Sequence, residues 1–274
     1  MYKVSLIMAI YKEPISWVIS SLNSLKNQTC QDFEYIIVLD NPKRKEEISQ
    51  LIDELDISSD RLVLICNEVN LGLTKSLNIG LKCCRGKFIA RLDADDISKE
   101  ERFEKQIDFM ESNPNLVVSY SLVTYINEVG DVLFDSWLPK SSGKVLDSLD
   151  KINLIAHPSV MMRKDYLIDN NVKYNEDYVR AQDKALWKEL VSKGADFGMI
   201  REPLIFYRLN QQSVSTKDEF IYERRLINSA LFCGENKFAR KYILSNFRLT
   251  FIVSLFKSFI PAKIRIAINE AKLS

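Results

Sequence analysis

A chain of 274 residues, 46% hydrophobic and 27% charged, is long enough for one sizeable core plus a small appendage and too apolar to be disordered. Its formal net charge of +1 gives no overall field to attract a polyanion, so no nucleic-acid partner is expected. Five cysteines (Cys30, Cys66, Cys83, Cys84 and Cys233) form no C-x-x-C pair, which reads as buried thiols in a reducing compartment.

The opening residues Met1–Ala9 lack the pattern of a cleavable leader and read as a buried strand. The run Val4 to Ile10 is followed by Pro14 and a helical pattern through Trp17, Ile19, Leu22 and Leu25. A second apolar run, Phe33 to Leu39, ends at Asp40; a charged helix carries Ile48, Leu51, Ile52 and Leu55 on one face. A third run, Leu62 to Cys66, leads to Asn70-Leu71-Gly72 and a helix closed by Gly86. A fourth, Phe88 to Leu92, ends at Asp93. Short apolar strands alternating with amphipathic helices predict βα units and a parallel sheet covered on both faces. Tyr11, Glu13, Asp40, Asn70, Lys75, Asp93 and Asp95 all fall at the carboxyl ends of these strands, the edge where open α/β sheets bind ligands.

Beyond about residue 115 the pattern changes. Leu116–Ile126, Asp131–Trp137 and Pro158–Arg163 read as strands of a mixed sheet. A helix is predicted through Ala181, Leu186, Trp187 and Leu190, and a strand near Ala195–Ile200 leads into Pro203–Arg208. From about 216 onward the chain reads as helix. No run of about 18 apolar residues predicts a membrane-spanning helix.

Asp93, Asp95 and Asp96 follow an apolar strand directly. Carboxylates this close repel one another, and a divalent cation relieves the repulsion; hard oxygen ligands suit Mg²⁺ or Mn²⁺, which also bridge diphosphate oxygens. The plainer reading is an acidic turn capping a helix that starts near Ser98, with Asp96 as the cap.

The stretches Asn70-Leu71-Gly72-Leu73-Thr74-Lys75-Ser76-Leu77-Asn78-Ile79-Gly80 and Arg85-Gly86-Lys87-Phe88-Ile89-Ala90-Arg91-Leu92-Asp93-Ala94-Asp95-Asp96 resemble the family 2 glycosyltransferases. So, in the same order, do Val4–Tyr11, Glu34–Asp40, Ala181–Trp187 and Glu202–Arg208. The resemblance covers roughly residues 3 to 215 and is greatest to bacterial surface-polysaccharide enzymes. It implies a GT-A fold, a mostly parallel Rossmann-like sheet flanked by helices, acting on a nucleotide-diphosphate sugar with inversion. On this resemblance Asp40 bonds the base, and Ala9, Tyr11 and Glu13 line the nucleotide pocket. Lys75 lies near the uridine or its diphosphate, Asp93 contacts ribose or metal, and Asp95 ligates Mn²⁺ or Mg²⁺. Three positions depart from the family pattern: Asn41-Pro42-Lys43 replaces Asp-Gly-Ser, Gln182 replaces a Glu, and Arg208-Leu209-Asn210 replaces Arg-x-His.

Inverting transfer needs one general base, and the resemblance assigns it to Asp183; the alternative is a carboxylate that merely caps a helix dipole. His157, the only histidine, and Trp187 are candidates for the acceptor side, against the commoner outcome that both are structural. Trp137 carries the same stacking possibility. Residues 236–269 hold seven basic and no acidic residues threaded with apolar ones. That suits an anionic membrane surface, or equally a packing or homodimer face.

The chain is thus expected to comprise a GT-A catalytic domain (1–215) and a helical extension (216–274). Its expected activity is metal-dependent, inverting transfer of a hexose from a UDP-sugar donor to a glycan acceptor, lipid-linked, in cell-surface polysaccharide biosynthesis. The expected location is cytoplasmic, peripheral on the inner membrane face. A sugar-1-phosphate nucleotidyltransferase would need a glycine-rich loop after the first strand, and Ala9–Glu13 contains no glycine. A non-catalytic sugar-nucleotide-binding partner would have no use for Asp93, Asp95 and Asp183 together.

Overall fold

Along the first strand of the computed structural model, Val4, Leu6, Met8 and Ile10 enter one apolar core and Ile7 enters a second. That alternation is what a pleated strand produces when both of its faces are covered. The structure describes residues 2–136, 138, 141–150 and 153–209. The proposed boundary at 215/216, the helical extension, the basic stretch 236–269, Cys233, Asn210 and Trp137 lie outside the described residues.

Strand and helix alternate as β1 (Val4–Ile10), α1 (Ile15–Lys26), β2 (Phe33–Leu39), α2 (Lys45–Glu54), β3 (Leu62–Cys66), α3 (Leu73–Cys83) and β4 (Phe88–Arg91). Their strands are parallel and lie in the order β3-β2-β1-β4. The chain winds outward from β1 to β3 and then crosses back to β4, so the winding reverses between β1 and β4. Such a reversal opens a crevice at the carboxyl ends of the two strands. Val18, Leu22 and Leu25 of α1 and Ile48, Leu51 and Ile52 of α2 fill one core; Leu77 of α3 lies in the other. Gly86 is required by close approach: a Cβ there would stand 2.5 Å from the Ser5 backbone nitrogen.

The second half consists of β5 (Ile97–Ser98), α4 (Arg102–Ser112), β6 (Leu116–Ile126), β7 (Val132–Asp135), α5 (Ser142–Asp147), β8 (Met161–Arg163), α6 (Lys164–Asp169), α7 (Gln182–Ser192) and β9 (Asp196–Arg208). The sheet continues from β4 through β8, β6, β9 and β5. Here β4–β8, β6–β8 and β5–β9 are antiparallel, while β6–β9 is parallel. Leu186, Trp187 and Leu190 of α7 complete the core that holds Ile7.

Three expectations change in detail. No helix starts at Ser98: Ile97–Ser98 pairs with β9 and the helix begins at Arg102, so Asp96 caps nothing. The strand foreseen from Pro158 begins at Met161, because His157–Ser159 forms a 3₁₀ turn and Pro158 has no N–H for a ladder. The strand foreseen near Ala195–Ile200 runs on unbroken to Arg208, with its register against β6 shifting on either side of Leu122, the partner of Pro203.

Residues 2–126 and 135–208 form one compact unit, and residues 127–134 belong to a second. Within 127–134, the Asn127 side chain accepts from the Val129 and Asp131 backbone N–H groups, closing a turn. Among the described residues no helix is long and apolar enough to cross a membrane.

Candidate active site

The loop after β1 is held in shape by its own residues and by its neighbour. The Tyr11 N–H donates to Glu13 Oε2 (2.7 Å), and Arg44 reaches across from the β2 side to the Glu13 carbonyl (2.9 Å). Asn41 caps a 3₁₀ turn at Pro42–Arg44 and also donates to the Tyr11 carbonyl (3.2 Å). Ala9 is half-buried in β1, and Tyr11 is 41% exposed beside it.

Asp40, at the end of β2, is buried and well supplied with donors. Its Oδ1 accepts from Asn67 Nδ2 and the Leu71 N–H, and its Oδ2 from the Gly72 N–H, each at 2.8 Å. Gly72 leads into α3 at φ +85°, a conformation that favours glycine. Asp40 therefore shapes the Asn67–Gly72 loop and retains one lone pair on Oδ2 for a further donor. Lys75 is exposed on the first turn of α3.

Across the crevice, oxygens of Asp93, Asp95 and Asp96 lie within 4.8 Å of one another. Burial, the neighbouring Asp93 and Glu13 push the Asp95 carboxyl up to about 7. Burial and then Asp95 raise Asp96 well above its ordinary range. Asp96 Oδ1 accepts from the Arg208 N–H (2.7 Å), while its buried Oδ2 has no protein partner. Mutually repelling carboxylates, half-buried at Asp93 and Asp95 and buried at Asp96 with its orphaned oxygen, fit a hard divalent cation; Asp95 and Asp93 would hold it.

Arg91 is the residue that sequence reasoning passed over. It stands in an apolar strand, 2% exposed, and ion-pairs with Asp93, while its Nε and Nη1 have no protein partner. A charge inside a buried strand was the available signal, since arginine is almost never fully buried unless paired. Arg91 acts electrostatically on Asp95, Asp96, Asp183, Tyr174 and His157, so the carboxylates of two chain halves converge around it.

Asp183 sits in the first turn of α7, two residues after Ala181, which adopts a left-handed φ of +55°. Its Oδ1 accepts from the Lys184 N–H (2.8 Å) and its Oδ2 from Asn153 Nδ2 (2.7 Å). Burial raises its carboxyl above the ordinary range, with Arg91 opposing. His157 and Trp187 lie in the core beneath. His157 Nε2 meets the Tyr174 hydroxyl at 2.7 Å, and burial, reinforced by Arg91, holds the imidazole well below its usual range. Trp187 is 0% exposed, edge-on to His157 and Phe197, and presents no face to an acceptor sugar. The structure thus places Asp93, Asp95 and Asp183 all within electrostatic reach of Arg91 and leaves Trp187 inside.

Clustered carboxylates at the switch point of a doubly covered α/β sheet, parallel in its first half and mixed in its second, are the layout of the GT-A fold. The glycosyl transferase family 2 model matches residues 5–170, and the chain belongs to that family. It is 35% identical to an uncharacterised glycosyltransferase of Methanocaldococcus jannaschii over 98% of this chain and 94% of that one. It is 32% identical to the amylovoran biosynthesis glycosyltransferase AmsE of Erwinia amylovora, covering 80% of each chain. The fold matches that of S. aureus TarS residues 1–349, solved with UDP, with a TM-score of 0.61 at 18% identity over 88% of this chain and 70% of that one.

Proposed function

We propose that this glycosyltransferase moves a hexose from a UDP-sugar to a glycan acceptor, lipid-linked, in surface-polysaccharide biosynthesis, with inversion and with a divalent cation. The observation that carries the reading is the convergence of Asp93, Asp95 and Asp183 around the buried Arg91. Asp183 takes the proton of the acceptor hydroxyl as its oxygen bonds to C1 of the donor from the face opposite the diphosphate. The C1–O bond breaks and its electron pair leaves with UDP. When bound, Mn²⁺ or Mg²⁺ held by Asp95 and Asp93 supplies charge stabilisation to the departing diphosphate. Asp40, Ala9, Tyr11 and Glu13 serve the nucleoside and Lys75 its diphosphate; the open lone pair of Asp40 suits the imide N–H of uracil.

A UDP complex of a fold neighbour and a polysaccharide-biosynthesis relative support the donor and the pathway class. Family membership does not favour a nucleotidyltransferase or a non-catalytic partner. For the basic stretch 236–269, the sequence supports docking on an anionic membrane; co-sedimentation with anionic vesicles that persists undiminished at high salt, or never occurs, would refute it.

The decisive experiment pairs two variants. Asp95→Ala is expected to abolish metal-dependent UDP binding in calorimetry. Asp183→Asn is expected to keep that binding and lose about 10²-fold or more in transfer rate. Metal-dependent binding by the first, or near-normal turnover by the second, overturns the corresponding role.

A further inference from the structure

We propose that Asn153 is the positioning residue of Asp183, locking the orientation of its carboxylate and favouring the ionised form. The inference rests on the reading of Asp183 as the base. Asn153 precedes β8, in a stretch that carries no recognisable motif. Its Oδ1 accepts from the Ile155 N–H (3.1 Å), closing a local turn. That bond settles the amide's orientation: with the oxygen turned to an N–H, only the NH₂ group is left to face Asp183, and it reaches Oδ2 at 2.7 Å. An NH₂ group donates and never accepts, so it satisfies a carboxylate oxygen and has nothing to offer the O–H of a carboxylic acid on that oxygen.

The second oxygen is served from a different element, by the Lys184 N–H of α7. One donor alone leaves the carboxylate free to turn about its Cβ–Cγ bond, and two donors from separate segments fix its plane. Fixing matters here because Asp183 follows Ala181, an alanine held in the left-handed region, where a side chain disfavours the backbone. The stretch carrying Asn153 is also tied to α7 independently. The Asp150 carbonyl accepts from Lys184 Nζ (3.2 Å), and the Asp150 carboxylate pairs with Lys188 (2.6 Å). Losing the Asn153 amide therefore leaves the segment docked.

The other charges acting on Asp183 are Arg91 on β4, which favours ionisation, and Asp93 behind it, which opposes it; Tyr174 lies within the same electrostatic reach.

The test follows the Asp183 carboxyl by ¹³C NMR titration of the full-length protein, with its resonance assigned by loss in Asp183→Asn. Asn153→Ala is expected to bind the Asp183 proton about tenfold more tightly. Asn153→Asp keeps the turn to Ile155 but sets a second carboxylate against the first, and should move the titration further in the same direction. An Asp183 titration unchanged in both variants overturns the proposal. In parallel, UDP release from UDP-glucose, UDP-galactose or UDP-GlcNAc with water as acceptor is expected to fall about tenfold in Asn153→Ala with KM unchanged. Its acidic limb should shift to higher pH, and the effect should vanish in an Asp183→Asn background. If Asp183→Asn itself releases UDP at the wild-type rate, the base assignment fails, whereas the NMR titration still decides whether Asn153 governs Asp183.

Discussion

Asp40 and Asp95 stand at the same edge of one sheet, on opposite sides of β1, and the protein treats their charges in opposite ways. Asp40 receives three donors from its own chain, and Glu34, at the other end of β2, is matched by Ser5 and by Arg85. Asp95 is crowded by Asp93, Asp96 and Glu13, with Arg91 as the cation opposing them. The donors of Asp40 are built into the fold, whereas the cluster at Asp93–Asp96 is left repelling itself, a cost the fold tolerates because so much apolar surface is buried around it.

The contrast makes its largest demand at Asp40. Asp40→Ala strands the Leu71 N–H and leaves the Gly72 N–H and the Asn67 amide with only Asn70 Oδ1 and Ser76 Oγ, and should cost about 3 kcal/mol in urea unfolding. A loss under about 1 kcal/mol would mean that the loop finds its donors' partners elsewhere, and the contrast would fail.

The next effect has the opposite sign. Without metal, Asp95→Asn removes a repelled charge and should stabilise the fold at neutral pH by about 1 to 3 kcal/mol. Marked destabilisation would show that Asp95 is as structural as Asp40.

The smallest effect is a slope. With its folded carboxyl near 7 against an ordinary 3.8, Asp95 binds more protons folded than unfolded across that window. Its contribution to stability is therefore greatest at the acidic end, declines as pH rises toward 7, and is flat above. Melting temperatures between pH 5 and 8 in EDTA, wild type minus Asp95→Asn, should fall with pH and then level off. Saturating Mn²⁺ should reverse that slope, because metal replaces the proton. A difference curve rising with pH in EDTA would contradict the assignment.

Much of this site was legible beforehand because its signals are local. The polar residues at the strand ends, Tyr11, Glu13, Asp40 and Asp93–Asp96, follow runs that end where β1, β2 and β4 end. Arg91 was overlooked because it was counted into an apolar run. Asn153 carried no signal at all, since its importance lies in a partner thirty residues away. The alternative reading of Asp96 as a helix cap fails because Ile97–Ser98 pairs with β9 as a two-residue strand and starts no helix.

By itself, the sequence determined the βα repeat, the two covered faces of the sheet and the edge where ligands meet it, because burial periodicity and strand-end polarity act over a few residues. Tertiary structure alone decided which carboxylates receive built-in donors and which crowd one another, that Trp187 and His157 lie in the core, and that Asp183 is reached by Asn153. Those outcomes depend on hydrogen bonds, desolvation and charge between segments far apart in the chain, and no local pattern encodes them.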